Sequence, residues 1–336
     1  MTARKQILVT GGAGYIGSHM VLALLDAGEA PVVLDNLSTG TRLAVPDGVP
    51  FYQGDCGDAA LVDSILEERD IDTIIHFAAS IVVPDSVADP LAYYENNTVK
   101  SRSLIASAVR AGVPTFIFSS TAAVYGNPQS SPVREDSVTS PINPYGRSKL
   151  MIEWMLADTA HAEPLKYYAL RYFNVAGADP AGRSGQSSAE ATHLIKVAVQ
   201  AAVGQRSGMD VFGTDYPTPD GSCVRDYVHV SDLAQAHLDA LRHLRGGGES
   251  AVCNIGYGNG FSVLQVIEAV KSVSGVDFEV RLKDRRSGDP AILVASNERA
   301  TSLLSWKPRY DSLPVIIRDA LAWEQKLSRQ KRDAVT

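Results

Sequence analysis

The chain has 336 residues, 45% hydrophobic and 21% charged, and 38 acidic residues against 31 lysines and arginines give a formal charge of -7. At roughly 150 residues per domain the length suggests two domains, and the composition excludes a disordered tail, a fibrous repeat and a disulfide-rich scaffold. A net acidic body without a basic run argues against nucleic acid or an anionic membrane as partner, although a few local arginines suffice for a small polyanion.

In chain order, 7–10 is a short apolar run of β-formers leading into a glycine cluster. From 15 to 27, Ile16, Met20, Leu24 and Ala27 recur at helical spacing, with Gly28 as a C-terminal cap. The run 32–34 is continuously apolar, as a strand buried on both faces requires, and 51–52 is a weaker strand. Asp58 caps a helix over 61–69, 73–77 is the next strand, and Asp89-Pro90 opens a long helix reaching Gly112. Strand 115–118, helix 148–160 and strand 167–172 follow. This alternation predicts a doubly wound parallel α/β sheet of the Rossmann type with right-handed crossovers.

Beyond residue 174 the alternation fails. Helices around 191–203, 232–245, 262–273 and 313–326 are separated by Gly- and Pro-rich loops. The expected division is a first domain over 1–174 and a smaller α/β substrate domain over 175–330, with segments such as 226–245 packing back on the first. The polar tail 328–336 reads as frayed. Cys56, Cys223 and Cys253 form no Cys-x-x-Cys pair and read as free thiols. No apolar run approaches the ~18 residues of a membrane span, and the N-terminus carries no signal-peptide pattern. The expected address is the cytoplasm.

Gly11, Gly14 and Gly17 follow the first strand and open the first helix. In such a loop the first glycine makes the turn, the second admits a pyrophosphate, and the third lets helix pack on strand; the helix amides then face the phosphates. Asp35 ends the second strand 18 residues after Gly17. A carboxylate there accepts from the adenosine ribose and repels a 2′-phosphate, which favours NAD over NADP.

Tyr145 and Lys149 lie one helical turn apart after Pro144. An ammonium beside the phenol is expected to lower its pKa, and a phenolate is a competent base near neutral pH. Ser119-Ser120-Thr121 ends the preceding strand, where a parallel sheet presents its ligands.

The spacing Gly-x-x-Gly-x-x-Gly resembles the extended short-chain dehydrogenase/reductase superfamily. Seven segments narrow the resemblance: TGGAGYIGSH, LDNLSTG, FIFSSTAAVYG, PYGRSK, LRYFNVAGADPAG, VFGTDYPTPDGSCVRDYVHVSDLA and RRSGDP. Together, in order and across residues 6 to about 327, they resemble the UDP-glucose 4-epimerase family. The resemblance implies NAD-dependent inversion at carbon 4 of a UDP-hexose through a transient 4-keto sugar, with Tyr145, Lys149 and Thr121 as the catalytic groups and no metal.

By the same pattern Asp55 would bind the adenine, with Asn36 and Cys56 beside it. Tyr15, Ile16, Phe77, Ala78 and Ala79 would line the dinucleotide, and Asn97 would meet its pyrophosphate end. Ser119, Tyr145, Lys149 and Tyr172 would complete the cofactor site. For the sugar nucleotide, Asn174, His193 and Leu194 would meet the diphosphate and Arg225 with Arg286 would clamp it. Phe212 would flank the uracil, Asp289 would hold the uridine ribose, and Thr121 and Tyr145 would face the sugar. Leu293 would limit the sugar pocket, where a small family residue admits N-acetylhexosamines and Tyr excludes them.

Three departures stand out. Ile81 replaces a family Lys near the cofactor phosphates, His193 stands where Asn is frequent, and Leu293 is intermediate in size. The family also implies a homodimer through helices near 90–111 and 148–160. Leu104, Ile105, Val109, Met151 and Met155 would supply its apolar face, or would pack on the sheet instead. Two other readings remain. A sugar-nucleotide 4,6-dehydratase or decarboxylase carries Asp-Glu after the Thr, where this chain has Ala122-Ala123. A non-catalytic NAD sensor tends to lose the Tyr or Lys, and both are present.

Overall fold

The computed structural model describes residues 5–188, 192–286 and 289–333. The chain runs β1 (Gln6–Thr10), α1 (Tyr15–Asp26), β2 (Ala30–Asp35), β3 (Phe51–Gln53), α2 (Ala59–Glu68), β4 (Ile71–His76), α3 (Val83–Ala88), α4 (Pro90–Tyr93), α5 (Lys100–Arg110), β5 (Thr115–Thr121), α6 (Pro144–Ala162) and β6 (Lys166–Tyr172). It continues through β7 (Asn174–Ala176), α7 (Leu194–Ala202), β8 (Gly208–Phe212), β9 (Val224–His229), α8 (Val230–Arg245), β10 (Ala251–Ile255), β11 (Gly260–Ser262), α9 (Val263–Ser274), β12 (Glu279–Lys283), β13 (Ile292–Leu293), α10 (Glu298–Leu304) and α11 (Leu313–Asp333).

The apolar runs of β1, β2, β4 and β5 bury both faces, and they assemble with β3, β6 and β10 into one parallel sheet ordered β10-β6-β5-β4-β1-β2-β3. This is the doubly wound order, with strand order reversing beside β1, so ligands are expected beyond the carboxyl ends of the strands. Asp58 caps α2 through Ala60 and Leu61, and Asp89 caps α4 through Ala92. The seventh strand, β10, returns from far along the chain to pair with β6, and α8 packs against α1. The rest forms a mixed sheet of β11, β9, β13 and β7, and a parallel pair, β12 and β8, with α7, α9 and α11 packed on one another.

Several elements depart from expectation. The helix from Pro90 to Arg110 is not uniform: the turn 94–99 widens to π-type hydrogen bonding. Asn97 in that turn is fully buried, and Ser101 Oγ donates to its carbonyl, drawing that group from the regular ladder. Helices α3 and α10 have no counterpart in the expected set. The tail does not fray at residue 328, because α11 continues to Asp333. Residues 334–336 lie outside the described residues, as does residue 191, the expected start of α7, and Ser287 and Gly288 of the RRSGDP segment.

Leu104 and Ile105 pack with Val109 and Met155 into the core between sheet and helices. Leu104 and Ile105 are not available to a partner, because both are buried in that core. Exposed apolar side chains on these helices include Val87 in α3, Leu91 in α4 and Trp154 in α6.

Candidate active site

Gly11 has φ +71, and a Cβ there would lie 2.7 Å from Ala78 N; a Cβ on Gly17 would lie 2.1 Å from Gly11 O. Gly14 caps α1 without a side-chain hydrogen bond, which leaves the first-turn amides to a ligand. At the end of β2, buried Asp35 accepts from Ala13 N at 2.9 Å and from Leu37 N at 2.8 Å, so its carboxylate is fixed against the glycine loop. A cradle without room for a Cβ, uncapped amides and an oriented carboxylate fit NAD.

Around this loop, Asn36 Nδ2 lies 3.5 Å from Asp55 Oδ2, and Gly57 N donates to Asp55 Oδ1 at 2.8 Å. Burial raises the Asp55 pKa, but hydrogen bonds from Lys100 and Gly57 outweigh it and hold the carboxyl below its ordinary value. Lys100, 2.6 Å from Asp55, is a residue that sequence reasoning missed. Cys56 is buried and its thiol is pushed up to about 12, chiefly by burial, so it is inert. Phe77 N donates to Thr10 O at 3.0 Å, and its ring lies 4.9 Å from that of His237; Ala78 and Ala79 follow, half-buried. Ile16 packs against the core, while the Tyr15 hydroxyl donates to Gly177 O at 2.7 Å, tying α1 to the segment after β7. Ile81 is 50% exposed, and Lys100 does not replace the missing charge because Asp55 already holds it.

Asn97, expected at the pyrophosphate end of the cofactor site, lies in the widened turn between α4 and α5. Its carboxamide accepts from Ser80 N at 2.8 Å and donates to Ser80 O at 3.0 Å and Ser148 Oγ at 3.1 Å. With no exposed surface and these groups committed, it braces the loop after β4 against α6. His76 was also missed: burial and the nearby Lys149 lower its pKa to about 3, and its neutral ring bridges Thr10 at 2.6 Å and Ser101 at 2.8 Å.

The three residues expected to be catalytic lie where β5 ends and α6 begins. Asn143 caps α6 by accepting from Gly146 N at 2.8 Å, and Pro144 starts it, which sets Tyr145 in the first turn. Thr121 faces Tyr145 across this junction. The Tyr145 pKa is raised, not lowered as the Tyr-Lys spacing led us to expect: burial dominates and the Thr121 hydroxyl only partly offsets it. Lys149 instead donates to Ser119 O at 2.9 Å and lies 5.0 Å over the Phe118 ring. Burial lowers its pKa to about 7. The nearby Tyr172 hydroxyl meets His237 Nε2.

Arg225 in β9 donates to Val224 O at 2.9 Å and lies 3.6 Å from Asp289. Leu293 in β13 is the register partner of Arg225. The Arg286 guanidinium stacks 3.9 Å from the Phe212 ring, a cation–π contact at the end of β8. Asn174, His193 and Leu194 line one cavity with Tyr227 and Trp323. His193 caps α7 with its ring beside Gln186 Nε2 at 2.9 Å, and burial lowers its pKa. Among the described residues no cluster of three or more His, Cys, Asp or Glu could hold a metal ion, and no helix is long and apolar enough to cross a membrane.

Fold and glycine loop thus define a dinucleotide-dependent α/β protein. The family model described as NAD dependent epimerase/dehydratase matches residues 7–256, and the chain belongs to that family. It is 55% identical over 327 residues to the UDP-glucose 4-epimerase of Azospirillum brasilense, covering 97% of this chain and 94% of the relative. Two solved structures are also similar. The UDP-glucose 4-epimerase from Brucella ovis in complex with NAD is 44% identical with TM-score 0.92, covering 95% of this chain and 98% of the other. That from Bifidobacterium longum in complex with NAD+ and UDP is 36% identical with TM-score 0.91, covering 96% and 98%. The resemblance carried by the seven sequence segments is the one these relatives bear in name.

Proposed function

We propose that the chain inverts carbon 4 of a UDP-hexose with NAD as resident cofactor, interconverting UDP-glucose and UDP-galactose, a reaction of galactose metabolism. The observation that carries this reading is the meeting of Thr121, at the end of β5, with Tyr145 on the helix that also carries buried Lys149. NAD, when bound, supplies the acceptor and donor for the hydride at carbon 4. The glycine loop, Asp35 and Asp55 hold it; Tyr145 takes the proton of the sugar 4-hydroxyl and later returns it, with Thr121 orienting that hydroxyl. The 4-keto sugar formed in between must turn over while its UDP stays held.

Two arginines against a neutral Leu293 suit that requirement: guanidinium forks grip the diphosphate, and an apolar wall leaves the hexose free to rotate. Asn174, His193 and Leu194 support the diphosphate, Phe212 flanks the uracil and Asp289 takes the uridine ribose. The segment to residue 174 serves NAD and 175–330 serves the sugar nucleotide, with 226–245 returned to the first.

Incubation with UDP-galactose is expected to yield UDP-glucose without added reductant. A 4-keto-6-deoxy product, or none, refutes the reading. A parallel incubation with UDP-N-acetylgalactosamine reads out what Leu293 admits.

The reading extends to a homodimer and a cytoplasmic address. The second is supported by three free, buried cysteines. The first is supported by Val87, Leu91 and Trp154, exposed on α3, α4 and α6, which pack against one another. Trp154→Lys is expected to convert the light-scattering mass from two chains to one at micromolar concentration; an unchanged mass counts against this face.

A further inference from the structure

A buried ion pair beside the expected catalytic residues has been given no role so far. Glu153 in α6 and Arg171 in β6 are both buried, and the guanidinium meets the carboxylate as a fork: Nη2 donates to Oε2 at 2.7 Å and Nε to Oε1 at 3.0 Å. Besides a contact from Arg171 Nη1 to Glu135 O at 3.3 Å, the pair reaches the chain on both sides of Thr121. Before it, Ser120 Oγ donates to Glu153 Oε1. After it, Arg171 Nη1 donates to the Tyr125 hydroxyl at 2.8 Å, with the guanidinium 4.9 Å over that ring. Tyr125 closes the turn that follows Thr121 and donates to Asn254 Oδ1 in β10 at 2.7 Å. Glu153 itself sits one helical turn beyond Lys149 and two beyond Tyr145.

Stability is a weak reason for such a pair, because well-packed apolar residues of equal volume commonly serve as well or better. A bidentate fork instead fixes distance and angle between the groups it joins. Apolar packing of α6 on the sheet is non-directional and does not by itself set the rotation of the helix against the end of β5. Proton transfer requires that setting, since a displacement of about 1 Å costs roughly a hundredfold in rate.

We propose that Glu153 and Arg171 are positioning residues that hold Thr121 against the Tyr145 phenol and so govern turnover rather than substrate affinity. The inference rests on the catalytic reading of Tyr145 and Thr121 given above.

Ser120→Ala tests it most cleanly, because it cuts the link to β5 and leaves the ion pair whole. Its kcat is expected to fall roughly tenfold, with KM for UDP-galactose within about twofold. The acid limb of the kcat–pH profile should move to higher pH, because the neighbouring Thr121 hydroxyl lowers the Tyr145 pKa and the variant loosens its placement. Glu153→Gln should shift kcat and the limb further, and Arg171→Lys, which keeps the charge without the fork, should not restore them. Wild-type turnover, lost in Tyr145→Phe, separates the two readings: its absence defeats the proposed function. Ser120→Ala with wild-type kcat and acid limb overturns the positioning role alone, whatever its melting temperature.

Discussion

Tyr145→Phe is expected to lower kcat by about a thousandfold, within the range that a positioned acid–base group contributes. The substitution removes one oxygen and leaves the start of α6 intact, since Asn143 and Pro144 set that turn. UDP affinity should stay within about twofold, because the arginines assigned to the diphosphate lie on other elements. Calorimetric titration with UDP beside the turnover assay separates these quantities. The pH dependence gives a second readout. Burial raises the Tyr145 pKa, so the basic form is scarce near neutrality and wild-type kcat should climb as pH rises toward that pKa. In the variant the residual rate should lose this limb. A Phe variant within tenfold of wild type, with the limb intact, would assign the proton transfer to another group.

The direction of that phenol shift also shows what a sequence can and cannot carry. Tyr145 and Lys149 at one helical turn announce a charged pair, but the sign depends on desolvation and on where the ammonium points. The ammonium reaches the Ser119 carbonyl, and burial decides for both groups. Features built from neighbours in sequence were legible: the apolar runs of β1, β2 and β4, the glycine turn, and the caps at Asp58 and Asp89. Features that need a partner far along the chain were not. Residues 251–255 become the seventh strand only by pairing with β6. Lys100 has no meaning without Asp55, nor Glu153 without Arg171. Leu104 and Ile105 show the same limit, because an apolar stripe does not say whether a sheet or a second subunit covers it.

Gly17→Ala is expected to cost both cofactor and stability, whereas Gly14→Ala should cost the cofactor alone. At Gly17 the new Cβ would fall 2.1 Å from Gly11 O and 2.8 Å from Gly12 Cα, both backbone atoms with no rotamer to yield. Helix α1 must retreat from β1, and overpacking of this kind destabilises by about 1–3 kcal/mol. The retreat moves the first-turn amides that face the pyrophosphate. NAD released per chain on denaturation should therefore fall to roughly a tenth or less, a loss of about 1.4 kcal/mol per tenfold in affinity. Gly14 is differently placed: its φ of -80° suits any residue, and its Cβ would lie 3.3 Å from Gly11 O, a tight contact that asks for a far smaller shift than the 2.1 Å contact at Gly17. What a methyl at 14 obstructs is the close approach of the pyrophosphate to the backbone. Melting temperature without added cofactor should thus drop in Gly17→Ala and hold in Gly14→Ala, while bound NAD drops in both. Full NAD content in Gly14→Ala would mean that the pyrophosphate lies elsewhere, and with it the cofactor site.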